Sequence, residues 1–93
     1  SLDAEKALLG SILLSTSVLD DCIAQIDSGY FHLPAHRRIF DVLVEMRNAS
    51  KPIDLISLTQ MLSDQRILEE VGGAALVTEL VTFVSTAANA DYY

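Results

Sequence analysis

His32 and His36 stand four residues apart, the spacing that can bring two metal ligands to one face of a helix. Pro34 falls between them, so a helix starting at the proline leaves His32 outside it. No third ligand is obvious, and a single cysteine, Cys22, excludes a zinc site built on cysteine pairs. The simpler expectation is a His36 packed or hydrogen-bonded at a helix start. The adjacent acids Asp20-Asp21 and Glu69-Glu70 are poorly arranged for acid–base work, because neighbouring helical residues point in different directions. They fit a solvated surface or a partner-facing acidic edge. His36-Arg37-Arg38 could open a DNA-recognition helix, but Asp41 and Glu45 follow on the same helix. Pairing of Arg37 and Arg38 with Asp41 is the expected use, contributing a few tenths of a kcal/mol per pair. A stand-alone helical DNA-binding domain is the alternative function that these cations keep open.

The motifs that would mark an enzyme are missing. The chain has no G-x-x-x-x-G-K-[ST] phosphate loop, no G-x-S-x-G and no H-E-x-x-H. Gly72-Gly73 is a lone pair without G-x-G-x-x-G spacing.

The bulk properties bound the rest. A chain of 93 residues is expected to form one small domain, marginally stable by itself. Apolar residues make up 51% of it and mean hydropathy is +0.35, more than one small core hides, so an exposed apolar face is expected. The net charge of −7, from 13 acids against 6 cations, opposes a phosphate-neutralising surface. Direct DNA binding is therefore expected to be weak or absent. No run approaches the roughly 18 apolar residues of a membrane helix, since Thr78, Glu79 and Thr82 interrupt the most apolar stretch. No basic segment precedes an apolar one in the manner of a signal peptide. With Cys22 unable to pair internally, the expected setting is a reducing cytoplasm, and Cys22 itself is expected to be a small core residue.

Helical spacing dominates, and no strand-like alternation persists. Ser1 is placed to cap a first helix carrying Asp3 and Glu5 in its positive first turn. Gly10 inside that helix costs about 1 kcal/mol in propensity, so it points to close approach of another helix. Ser15-Thr16-Ser17 separates it from a second helix over residues 18–27, with Val18, Cys22 and Ile26 inward and Leu19 and Ile23 beside them. Asp27-Ser28-Gly29 is a stop, after which Tyr30 and Phe31 are expected to plug the core. Pro34 opens a third helix reaching Asn48, and Asp54 caps a fourth over residues 55–63. A turn at residues 66–71 leads to Gly72-Gly73, where one glycine ends a turn left-handed and the other opens the next helix. Thr86 is expected to cap a seventh helix, cut short at Tyr93. The expectation is an all-α, compact bundle of about six helices with a truncated seventh. Its core is expected to draw on Leu8, Ile12, Ile23, Phe31, Ile39, Phe40, Leu43, Leu58, Leu62, Leu76 and Leu80.

Short signatures recur in a fixed order: Asp3-Ala4-Glu5 with Leu8-Leu9-Gly10, the stretch FHLPAHRRIF from Phe31 to Phe40, Pro52-Ile53-Asp54-Leu55, Val71-Gly72-Gly73 and Ala87-Ala88-Asn89. In order and spacing the chain resembles the amino-terminal domain family of the bacterial replicative DNA helicase DnaB, over nearly its whole length. Ala75 departs from the resemblance, since many members carry an aromatic residue there.

The resemblance implies a non-catalytic collar domain of a ring hexamer that hydrolyses ATP and unwinds DNA at the replication fork. It implies collar domains arranged as a trimer of dimers that contact primase and influence the action of a helicase loader. ATP and Mg would belong to a RecA-like ATPase domain that follows a helical hairpin and a linker. The chain starts at Ser1 and stops at Tyr93, so it is expected to be a fragment holding only the opening of the hairpin, which begins near Ala87. No residue of it is expected to be catalytic or to bind a cofactor or metal. Self-association, primase and a loader are the expected partners, with no membrane contact. Glu69, Glu70, Val77 and Val81 are the candidate partner interface, where acids meet an apolar helix around the double glycine. With most of the hairpin absent, a monomer or weak dimer is expected.

Overall fold

The computed structural model describes the backbone of residues 1–92 and the side chains of residues 1–87. Its order is α1 (Leu2–Leu14), α2 (Thr16–Gln25), a 3-10 turn (Ser28–Tyr30), α3 (Pro34–Asn48), α4 (Leu55–Asp64) and α5 (Gly73–Tyr92). The class is all-α, but the described residues form five α-helices and one 3-10 turn rather than six helices with a truncated seventh. Thr86 caps nothing: no glycine or proline follows Gly73, so α5 runs uninterrupted through the expected boundary. The last expected position, Tyr93, lies outside the described residues.

Local capping follows the residue types. Ser1 Oγ accepts from the Ala4 N–H at 3.2 Å, and Asp54 Oδ1 accepts from the Ser57 N–H at 2.7 Å. Asp27 Oδ1 accepts from the Gly29 N–H at 2.8 Å and starts the 3-10 turn. α3 and α4 both end with left-handed residues, Ser50 at φ 58° and Arg66 at φ 62°. Each is followed by a bond back five residues, Lys51 N–H to Met46 O at 2.9 Å and Ile67 N–H to Leu62 O at 2.9 Å.

One core holds these elements together. Leu9 and Ile12 from α1, Leu19 from α2, Ile39 and Leu43 from α3, and Leu58 and Leu62 from α4 are fully buried there. The closest helix pair is α1 against α5, and Gly10 is the reason: a Cβ there would strike the Leu80 carbonyl and the Val84 side chain. Lys6 stitches the same pair, at 3.0 Å from Glu79 and 5.5 Å from the centre of the Phe83 ring. Arg47 joins α3 to α2 through two bonds to Asp20, at 2.8 and 2.9 Å, and this holds the Asp20 carboxyl below its usual range.

Several expectations move. Ile23 is 39% exposed and does not belong to the core, because the buried stripe of α2 is Leu19 and Cys22; the helix also starts and ends two residues earlier than expected. Leu8 and Leu76 are only half-buried against the core. Phe31 is the plug, packed on Phe40 with ring centres 5.2 Å apart, whereas Tyr30 remains outside with its ring against the edge of Phe31. Cys22 is buried, which together with the charge of Asp21 pushes its thiol up. Among the described residues no helix is long and apolar enough to cross a membrane.

Candidate functional site

α3 begins without a local cap: Leu33 occupies that position and its side chain accepts nothing. Glu5, from the first turn of α1, supplies an acceptor to the two residues that lead into the helix and to one side chain on it. Its Oε2 accepts from the His32 N–H at 2.8 Å and its Oε1 from the Leu33 N–H at 3.4 Å. Oε1 also meets His36 Nδ1 at 2.9 Å. An ionised carboxylate only accepts, so Nδ1 carries the proton in this pair. Glu5 is 2% exposed and His36 1%. Burial alone raises the pKa of such a carboxyl, but the hydrogen bonds from His32, His36 and Leu33 outweigh it and bring the Glu5 pKa down from 4.5 to about 2.

A carboxylate against an imidazole is the hardware of general base catalysis. Here both groups are sealed in the core, and the pair serves as a clamp between α1 and the start of α3. His36 thus takes the hydrogen-bonded helix-start role, and His32 contributes only its backbone. The sequence places Glu5 among first-turn acids of α1, and spacing alone cannot show that its partner lies 31 residues away. Among the described residues no group of three His, Cys, Asp or Glu side chains converges as for a metal.

The exposed candidate surrounds the double glycine. Ile67 and Val71 are buried and pin the turn, and both glycines adopt positive φ, +112° at Gly72 and +81° at Gly73. This geometry leaves Glu69 and Glu70 on the surface. The Glu69 carboxylate lies beside Gly73, at the positive end of α5. Glu70 reaches Arg38 of α3 at 3.4 Å, with both side chains about half exposed, 57% and 48%. Arg38 therefore pairs across the fold and not within its own helix. Arg37 donates to the His32 carbonyl at 3.2 Å, so the expected pairing with Asp41 is not made.

The structure brings only part of the predicted interface together. Val77 is fully buried and belongs to the core, which removes it from any exposed patch. Val81 is half-buried, and lies about 12 Å along α5 from Gly73 at the rise of a helix. What remains at the turn is Glu69 and Glu70, backed by Arg38.

The chain matches the DnaB-like helicase N terminal domain family over residues 1–93. It is 39% identical to the replicative DNA helicase DnaB of Treponema pallidum across 100% of this chain and 21% of that protein. To the DnaB of Mycobacterium leprae it is 35% identical, over 99% of this chain and 15% of that protein. The crystal structure of the N-terminal domain of DnaB helicase from Mycobacterium tuberculosis superposes with a TM-score of 0.87 at 33% identity, covering 100% of this chain and 67% of that one. An all-helical domain held by a buried clamp, matching in sequence along its whole length, defines the class: this is a helicase amino-terminal domain. The chain belongs to the DnaB-like helicase N-terminal domain family, and it spans 15% to 21% of the length of the curated relatives it matches.

Proposed function

We propose that this chain is the assembly and docking module of a cytoplasmic replicative DNA helicase. It supports formation of a ring hexamer and receives primase or a loader on its outer surface. The ATP, the Mg and the hydrolysis belong to an ATPase domain of the full-length protein. The single observation that supports this most is the match of the entire chain to one domain of replicative helicases. The charge balance agrees with a protein partner: at −7 the surface repels DNA phosphates. The cations Arg37, Arg38 and Arg47 are also already engaged within the fold.

Glu69 and Glu70 are the residues proposed to meet the partner, and Val81 is a secondary candidate. The double variant Glu69→Lys with Glu70→Lys is expected to weaken binding of primase's helicase-binding region about tenfold or more while the far-ultraviolet circular dichroism stays helical. Titration of labelled protein gives the affinity. Unchanged affinity rejects this turn as the docking site.

A further inference from the structure

Outside the double-glycine turn, exposed apolar side chains gather in two places. One is α4, where Ile56 is 81% exposed between Met46, Pro52 and Met61. Its surroundings include Lys51 as well as Asp64, so charge selects no partner there. The other surrounds α2, on its sides toward α1 and α3. One cleft lies on its α1 side, beside Leu8, the other on its α3 side, beside Phe40 and Val44, and the two meet at Ile26. Its apolar ground comprises Leu8, Val18, Ile23, Ile26, Tyr30 and Val44, over the buried Phe40. Every charged residue lining it is acidic: Asp21, Asp27 and Asp41. Among the described residues none of these three acids is ion-paired: Arg37 donates to the His32 carbonyl, and Arg47 is bound to Asp20.

We propose that the surface around α2 is a second docking surface, and that its occupant is a cationic amphipathic helix of a partner protein. The apolar ground takes the apolar stripe of such a helix, and Asp21, Asp27 and Asp41 meet the lysines or arginines that flank the stripe. The same charges exclude the alternatives. Two copies of this chain placed face to face would oppose carboxylates to carboxylates, and a nucleic acid would oppose them to phosphates. The surface lies apart from the double-glycine turn and does not depend on the role proposed for Glu69 and Glu70.

The test uses a fluorescein-labelled leucine–lysine peptide of about five helical turns, titrated with the 93-residue chain and followed by anisotropy. Wild type is expected to bind it, and Asp21→Lys with Asp41→Lys is expected to bind about tenfold more weakly. Asp3→Lys with Asp64→Lys makes the same change in net charge at exposed sites elsewhere and is expected to stay within about twofold of wild type. Equal weakening by both double variants would show attraction to net charge alone and overturns the proposal, as does absence of binding to wild type. In a separate titration of wild type, amide shifts are expected to gather at Ile23, Ile26, Tyr30 and Val44. Shifts gathering around Ile56 overturn the assignment, as does a dimer in sedimentation that the peptide dissociates.

Discussion

Glu5 is 2% exposed and hydrogen-bonds through both carboxylate oxygens, while Glu70 is 57% exposed and meets Arg38 at 3.4 Å. The two residues share a side chain and differ in almost everything that gives it energetic weight. Around Glu5 water is absent, so each donor it satisfies would otherwise be an orphan, and the charge stays because three donors converge on it. Around Glu70 water competes for both partners, and a long ion pair there adds little. A buried, fully bonded acid is therefore tied to the fold. An exposed, loosely paired one is free to exchange its partner for another protein.

The sharpest way to break this contrast is Glu5→Ala. The substitution leaves the partly buried His32 N–H and the buried His36 ring nitrogen without their acceptor, an expected cost of about 3 kcal/mol. In a domain of this size that corresponds to a fall in Tm of roughly 15 °C, measurable by thermal circular dichroism. Acid makes the same point in the unaltered chain. The folded-state pKa of Glu5 lies at about 2, below its ordinary 4.5. Its contribution is thus complete above about pH 4.5 and is lost as the pH falls toward 2. Glu5→Gln is expected to flatten that part of the stability–pH curve. A variant as acid-sensitive as wild type between those values shows that Glu5 is not the group titrating.

What was legible in the residues follows the same division. Ser1, Pro34 and Asp54 act on neighbours within one turn, and their caps and boundaries are where the sequence places them. Gly10 could be read as a point of helix contact because a glycine inside a helix needs a reason, although the sequence does not say which helix arrives. The Glu5–His36 clamp and the Arg38–Glu70 pair join residues more than a turn apart, and no periodicity encodes such a meeting. Val77 shows the same limit on α5. Its neighbours suggest an apolar surface, but the approach of α1 at Gly10 turns that side of the helix into the core. Order and spacing of short signatures carried the family, since they reflect the whole fold rather than one turn of it.

Gly72 separates the turn's architecture from its charges. At φ +112° a side chain is strained, and a Cβ would stand 2.5 Å from Leu76 Cδ1 and 2.9 Å from its Cβ. Gly72→Ala is expected to cost about 2 kcal/mol in chemical denaturation. It should also lower partner affinity, because the segment that displays Glu69 and Glu70 must shift. A variant with full stability and full affinity would show that the turn tolerates another path and that its geometry does not present the acids.

Glu70→Gln is the mildest change and the most discriminating. It removes the charge facing Arg38 and keeps size and hydrogen-bonding capacity, so stability is expected to change by less than about 0.5 kcal/mol. If the turn is a docking edge, the same substitution weakens primase binding by several-fold, and raising the salt concentration narrows the gap between variant and wild type. A loss of stability comparable to that of Glu5→Ala would mean that the fold depends on Glu70 no less than on the buried acid. Exposure would then have failed as the criterion that separates the two.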